Sequence, residues 1–300
     1  SNVAVGRDAL GANTTGSFNQ AFGRNALLTN TTGQYNNAFG NDALKVNTAS
    51  NNTAVGHAAL VANTTGAANT SVGYSSLYQN TTGAANGAFG YQTLFSNTTG
   101  ADNVAVGTNA LYNNLTASNN TAVGRESLFA NTTGAANTSV GYQSLTANTT
   151  GASNTVVGKQ AAKANTTGAN NVAIGDSAAF AATTSTGNVI IGQAAVQTGV
   201  FTGFNNVVIG KLAGEDLTSA DANVIIGEDA GKNQTTADSN VLIGQGAGED
   251  NTTGAENVAV GQNSLANNTT AGSNTAVGRG SMFTNTTGAN NTGIGFDALY

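Results

Sequence analysis

The chain has 300 residues, and only 8% of them are charged, whereas about 25% is usual in a globular domain. It contains 40 Gly but no Pro, Cys or Trp, and its net charge is −6. The absence of Cys excludes disulfides and thiolate metal sites, and the single His excludes a multi-His metal centre. The negative charge argues against a nucleic-acid partner, and no apolar run is long enough for membrane insertion.

One repeat unit fills the whole chain. A Gly preceded by Val, Ile or Phe recurs every 17 residues in eighteen copies, from Gly6 to Gly295. Two irregular turns, near residues 40–56 and 192–210, have spacings of 16 and 18 residues. A strict period indicates one structural unit per repeat, stacked on its neighbours. We therefore expect a single continuous array over residues 1–300.

The elements of each unit follow in chain order. The segment Asn-x-Ala-Val-Gly predicts a strand of about five residues, because Val suits a pleated surface and Gly permits the corner that follows. The Ala-Leu segment predicts a second, shorter strand, and Asn-Thr-Thr-Gly predicts a turn. Five residues between glycines are too few for a helix. The fold class is therefore all-β: a β-solenoid whose eighteen turns, stacked at ~4.8 Å, make a rod of roughly 85 Å.

The residue before each Gly is always apolar, and we assign it to the core. This predicted core consists of Val5, Phe22, Phe39, Val55, Val72, Phe89, Val106, Val123, Val140, Val157, Ile174, Ile191, Ile209, Ile226, Ile243, Val260, Val277 and Ile294.

The preceding residue lies on the other face of the strand and is small in most copies. A strand that is apolar on both faces needs cover on both, so we expect this second face to contact another copy of the chain. On this assignment, Ala105→Glu separates the chains and Val106→Asp disrupts the core. The predicted oligomer face consists of Ala4, Ala21, Ala38, Ala54, Ala105, Ala122, Ile190, Val208, Ile225 and Leu242.

An Asn stands four residues before the Gly in every copy. Stacked asparagines can form an amide ladder along the rod, which satisfies polar groups that are costly to bury unpaired. The alternative is that each Asn only starts its strand from a turn. The ladder would consist of Asn2, Asn19, Asn36, Asn52, Asn69, Asn86, Asn103, Asn120, Asn137, Asn154, Asn171, Asn188, Asn206, Asn223, Asn240, Asn257, Asn274 and Asn291.

Four runs carry a family resemblance. The segments 52–56 (Asn-Thr-Ala-Val-Gly) and 171–175 (Asn-Val-Ala-Ile-Gly) resemble the head repeats of trimeric autotransporter adhesins. The longer unit 73–83 is similar to the repeat arrays of phage and bacterial tail-fibre-domain proteins, and 223–231 matches a second form of those arrays. The resemblance implies a left-handed parallel β-roll, three chains side by side, and membership of a longer fibre with end-to-end continuation.

The residues offer little chemistry. Nine of the fifteen acids fall in the Ala-Gly-type repeats at 210–256, where Glu215, Lys232 and Glu249 predict a charge-compensated column. A calcium site near Glu215–Asp229 is an open alternative, although the spacing matches no known oxygen-cage loop. The sole His, His57, is expected on the surface. Large residues often stand five positions after the Gly; they would pack over a turn or a neighbouring chain, or else bind sugars. We predict no catalytic residue and no cofactor.

These features favour a structural fibre or adhesin segment, a shaft or head that attaches to a cell surface. We expect a homotrimer located extracellularly, at the cell surface or on a virion, with a surface glycan or receptor as partner. The first alternative is an ice- or surface-binding solenoid, suggested by the Thr-Thr pair in each turn. The second is a self-assembling extracellular filament subunit, and a polysaccharide-cutting fibre is the least favoured.

Overall fold

The computed structural model describes residues 1–300 and contains one three-residue strand in each repeat. The chain forms two compact units, Ser1–Gly151 and Ala152–Tyr300. The first contains β1 Val3–Val5, β2 Gln20–Phe22, β3 Asn37–Phe39, β4 Thr53–Val55, β5 Thr70–Val72, β6 Gly87–Phe89, β7 Val104–Val106, β8 Thr121–Val123 and β9 Thr138–Val140. The second contains β10 Thr155–Val157, β11 Val172–Ile174, β12 Val189–Ile191, β13 Val207–Ile209, β14 Val224–Ile226, β15 Val241–Ile243, β16 Val258–Val260, β17 Thr275–Val277 and β18 Thr292–Ile294.

Within each unit, every strand pairs in parallel with the next strand along the chain. Equivalent residues of successive repeats lie opposite each other, as for Ala88 and Ala105 in the first unit. The register holds across the 16-residue repeat between β3 and β4 and the 18-residue repeat between β12 and β13. The missing and the extra residue therefore lie in turns, and the all-β parallel solenoid is confirmed.

The predicted second strand is absent, and the first is shorter than expected. The Ala-Leu segments are turns, and their Leu residues have left-handed backbone conformations, as at Leu27 (φ 52°) and Leu44 (φ 50°). The Leu27 N–H donates to Ala43 O in the next turn at 3.1 Å, whereas the Ala26 N–H donates locally to Gly23 O at 3.3 Å. Left-handed residues cost roughly 1–2 kcal/mol each, which burial of Leu at about 1.5–3 kcal/mol offsets.

The core lies on the opposite face of the strand from the one we predicted. In β7, the side chain of Ala105 is fully buried, whereas those of Val104 and Val106 are 43% and 38% exposed. None of the predicted core residues is buried; this correction applies to Val5, Phe22, Phe39, Val55, Val72, Phe89, Val106, Val123, Val140, Val157, Ile174, Ile191, Ile209, Ile226, Ile243, Val260, Val277 and Ile294.

The predicted oligomer face is the interior of the solenoid. Apart from Ala4 in the first turn, which is exposed, its members are buried: Ala21, Ala38, Ala54, Ala105, Ala122, Ile190, Val208, Ile225 and Leu242. The physical reason is that the interior is narrow. The Leu side chains of the Ala-Leu turn segment, which is the opposite arm of each turn, also point into it. Leu77, Leu94 and Leu111 are fully buried there, so the strand has room only for Ala or Ser in those turns.

Larger strand residues in the second unit are balanced by smaller residues on the opposite arm. Where Ile225 and Leu242 replace Ala, glycines at 231 and 248 replace Leu. A Cβ atom added to Gly231 would lie 2.9 Å from Leu242 Cδ1, and one added to Gly248 would lie 2.8 Å from Leu242 Cδ2. The interior volume is thus conserved by a swap between its two sides, and these large residues need no cover from a partner.

Candidate functional site

The strand asparagines link successive turns through buried hydrogen bonds. Asn120 N–H donates to Asn103 Oδ1 at 3.0 Å, and Asn120 Oδ1 accepts from Asn137 N–H at 2.9 Å. Asn120 Nδ2 donates to Gly134 O at 3.0 Å. Direct amide-to-amide bonds also occur, as from Asn103 Nδ2 to Asn86 Oδ1 at 3.1 Å. Each Asn thus starts its strand and also joins a ladder, so the two interpretations of these residues are compatible.

A second ladder runs through the Asn of Asn-Thr-Thr-Gly, which sequence reasoning assigned only to a turn. Asn97 Nδ2 donates to Asn80 Oδ1 at 2.8 Å, and Asn114 Nδ2 donates to Asn97 Oδ1 at 2.9 Å. The two ladders meet at one carbonyl, because Gly100 O accepts from both Asn97 and Asn86 at 3.0 and 2.8 Å. The signal available in the sequence was the recurrence of this Asn in most copies.

The second ladder is interrupted around the 18-residue repeat. Its position is taken by Ala182, Phe201 and Leu217 in successive turns, and all three side chains are buried. Phe201 forms an isolated parallel bridge with Ala182. Apolar packing therefore replaces the amide chain over these turns, and the extra residue leaves Val200 63% exposed.

The outward side of each strand consists of its first and third residue, which flank the middle residue. The third position is Val, Ile or Phe in every strand, whereas the first position varies. In the second unit, β11 to β16 carry Val at the first position and Val or Ile at the third. In the first unit, the first position is polar or Gly in β2 to β6 and in β8 and β9. The outward side of β11 to β16 is hereafter the Val/Ile face.

Aromatic side chains form stacked columns on the surface of the first unit. Five positions after the Gly, the rings of Tyr78, Phe95, Tyr112 and Phe129 stack in turn, with centroids 5.0, 5.1 and 5.3 Å apart. The exposed His57 stacks on Tyr74 at 5.3 Å, one position after the Gly. Because each ring covers the face of the next, mainly ring edges and hydroxyls point outward. Stacking between equivalent positions of successive turns accounts for the recurrence of aromatic residues at this position of the repeat.

The acidic repeats are ion-paired along the surface. Lys232 Nζ lies 3.9 Å from Glu215 Oε2 and 3.5 Å from Asp229 Oδ1, and Lys211 Nζ lies 3.2 Å from Glu228 Oε1. The chain has no group of three or more His, Cys, Asp or Glu placed to hold a metal ion. Of the residues considered for calcium, Glu215, Glu228 and Asp229 thus each lie beside a lysine.

Two carboxyl groups have shifted pKa values. A hydrogen bond from Asn25 Nδ2 at 2.8 Å is the main cause that lowers the pKa of Asp42, opposed by burial and reinforced by Lys45 and Arg24. Burial is the main cause that raises the pKa of Glu249, with Asp250 and Asp229 adding to it and Lys232 opposing it. The Asp42 shift thus follows mainly from a hydrogen bond to the neighbouring turn, and the Glu249 shift mainly from burial.

The two threonines of each pair have different environments. Thr81 Oγ1 donates to Thr98 O at 3.1 Å, so the hydroxyl of the first Thr bonds to the next turn. The second Thr is exposed; Thr82, Thr99, Thr133 and Thr150, together with Thr116, which follows Leu115, are exposed at this position in successive turns. In these turns the exposed Thr column is therefore one residue wide.

The structure contains no helix capable of crossing a membrane. No protein-family model matches the chain, and no curated protein matches it.

Proposed function

We propose that this chain is a structural segment of an extracellular attachment fibre, a shaft or head of a tail fibre or surface adhesin. The observation that carries the proposal is the pair of buried Asn ladders, in which each turn satisfies the polar groups of the next. Such a chain gains order by stacking identical units, which suits a load-bearing segment. Its surfaces are columns repeated in successive turns, which suits attachment through many weak contacts.

The proposal includes partners and location. The fibre is a homotrimer, as the resemblance to trimeric adhesin heads implies, and it lies outside the cell or on a virion. Its partner is a glycan or receptor on a cell surface. The chain has a mechanical and binding role, and no catalytic one.

Bead adhesion tests this function. Beads coated with the chain at increasing density are passed over cells and immobilised glycans, and their retention under flow is measured. Retention that rises steeply with density supports an attachment segment acting by avidity. A chain that is rapidly proteolysed at its turns and retains no beads at any density would contradict both the shaft and the adhesin role.

A threonine-array solenoid is the second candidate. The exposed column of Thr82, Thr99 and Thr116, repeated once per turn, favours binding to an ordered surface such as ice. The column is one residue wide, since the other Thr hydroxyl bonds to the backbone of the next turn. Thermal hysteresis of a solution of the chain tests this candidate, and its absence would exclude ice.

A further inference from the structure

A cavity of about 400 Å³ opens on the surface of the second unit, at the 18-residue repeat. Its lining consists of turn residues from four successive repeats and includes no residue of the Val/Ile face. Its volume falls within the range of roughly 300–1,000 Å³ that is typical of small-molecule sites. Most of the lining residues are polar or charged, so hydrogen bonding and charge decide what this cavity can bind.

The cavity follows from two small side chains. Two positions after the repeat Gly, two earlier turns carry Gln143 and Gln160, whereas the lining turns carry Ser177 and Ala194. All four residues have the same left-handed backbone conformation, with φ of 52°, 54°, 58° and 56°. The backbone is therefore shared, and the open volume results from the shorter side chains.

Two ion pairs flank the cavity in the column that directly follows the repeat Gly. Lys159 Nζ lies 3.9 Å from Asp176 Oδ2, and Lys211 Nζ lies 3.2 Å from Glu228 Oε1. All four side chains are about half exposed, so each pair contributes little and its partners remain open to a ligand. An ammonium group has three N–H donors, and the Lys211 Nζ bond to Glu228 uses one of them.

Gln193 stands in the same column between these pairs. It is exposed, and its neighbours Asp176 and Lys211 are each paired with a residue on the far side. Further along the column, two glutamines in successive turns do pair, since Gln262 Nε2 donates to Gln245 Oε1 at 3.1 Å. The Gln193 amide has no amide neighbour of this kind, so its donors and acceptor are directed to solvent or to a ligand.

The arrangement of these groups matches an acidic sugar. Asp176 and Lys211 lie two turns apart, about 10 Å along the column, which leaves room for one sugar ring with hydrogen bonds on both sides. An ammonium group suits a carboxylate, and a carboxylate or amide oxygen accepts from hydroxyls. A neutral sugar would leave Lys211 unmatched, and a simple inorganic anion would leave Gln193 and Gln197 unused.

We propose that this cavity binds a carboxylate-bearing sugar unit of a surface glycan. The sugar carboxylate contacts Lys211, and the sugar hydroxyls contact Asp176, Gln193 and Gln197. The inference rests on the proposed attachment function and names the class of glycan that the chain recognises. It places recognition at one irregular repeat of the second unit.

A matched pair of sugars tests the ligand class. Glucuronic acid and glucose differ only in a carboxylate that replaces a hydroxymethyl group. Saturation-transfer NMR titrations of the intact chain measure both affinities, and we expect glucuronate to bind at least about fivefold more tightly. Equal affinities, or no binding of glucuronate, would overturn the inference. Displacement of glucuronate by an equal concentration of inorganic phosphate would also overturn it, because the cavity would then be a simple anion site.

Three variants test the location of the site. Lys211→Gln should weaken glucuronate binding about fivefold without affecting glucose. Lys232→Gln, which breaks ion pairs outside the cavity, is the matched control and should change neither affinity. Ala194→Gln fills the cavity with the side chain that Gln143 and Gln160 carry on the same backbone, and it should abolish binding of both sugars. Circular dichroism verifies the fold. Equal losses in the two Lys variants, or wild-type binding by Ala194→Gln, would contradict the assignment.

The bead assay separates this inference from the proposed function. If glucuronate does not bind while coated beads still adhere to cells, the inference fails and the attachment function stands. If glucuronate binds in the cavity while beads adhere at no density, the sugar site stands and the attachment function fails.

Discussion

At the residue scale, side-chain size does not decide which residues are interior in this solenoid. The alternation along each strand was predictable from the sequence, but the choice of face was not. We placed the larger Val106 inside and the smaller Ala105 outside, because larger apolar residues are usually the more buried. The interior is only a few side chains wide, and Leu111 already fills it from the other arm. The periodic Leu is visible in the sequence. That its side chain points into the interior depends on the left-handed backbone conformation of the Leu, which the sequence pattern does not indicate.

Substitutions in β7 test the corrected assignment. Ala105→Glu places a charge without a partner in a fully buried site, and we expect a loss of more than about 3 kcal/mol of stability. Val106→Asp changes a side chain that is 38% exposed, and we expect a change within about 1 kcal/mol. Thermal melting of both variants measures the difference. Equal melting temperatures, or a greater loss for Val106→Asp, would restore the original assignment.

The strand ladder predicts a cost for removing one amide. Asn120→Ala deletes the acceptor of the Asn137 N–H and the donor to Gly134 O in a fully buried site. We expect a destabilisation of about 1–3 kcal/mol, seen as a lower melting temperature. The control is Asn113→Ala, at a half-buried turn position outside both ladders. A loss as large in the control would show that the ladder bonds contribute little.

The lowered pKa of Asp42 predicts a pH-dependent contribution to stability. Because the folded pKa lies below the unfolded one, the carboxylate stabilises the fold above its unfolded pKa. That contribution is lost as the pH falls through the folded pKa. We expect Asp42→Asn to lower the melting temperature at neutral pH and to match the wild type at a pH where the wild-type Asp42 carboxyl is protonated in both the folded and the unfolded state. Asp102→Asn, which also replaces an Asp with positive φ, is the control. A pH-independent difference would contradict this.

At the element scale, the sequence predicted one of the two arms of each turn. The period, the strand and the Gly corner were all predictable from the recurrence of Val-Gly. The second arm was predicted as a strand, since Ala-Leu gives no local sign of the left-handed Leu. A backbone conformation that costs energy locally is adopted because burial across the interior offsets it, and a local pattern does not contain that information.

Two glycines of one turn separate corner geometry from general flexibility. Gly90 follows β6 with φ 139°, and a Cβ atom there would lie 2.9 Å from Gly107 O in the next turn. We expect Gly90→Ala to destabilise the first unit by about 1–3 kcal/mol. Gly87, within β6, has open space for a Cβ beside Phe89 Cε2 at 3.5 Å, and Gly87→Ala should be neutral or stabilising. Chemical denaturation measures both; equal effects would show that the close approach at the corner is unimportant.

At the scale of the whole molecule, the composition follows from the stacking. Buried Asn, Ala and Gly recur because each column repeats one environment. Charged residues are few because most positions contact the equivalent positions of neighbouring turns, where like charges would lie close together. The strand ladder was anticipated from the sequence. The second ladder and the outward apolar face were not, because both depend on which way the Asn-Thr-Thr-Gly turn and the strand face the interior.

The mass of the intact chain in solution tests the account most directly. An interior made of small strand residues leaves Val and Ile side chains partly exposed on the outside, and the proposed homotrimer is what would cover them. Light scattering at moderate salt, where repulsion between copies of charge −6 is screened, should give an integral multiple of 29.5 kDa that persists on dilution to micromolar concentration. A single-chain mass of 29.5 kDa under the same conditions would contradict the account.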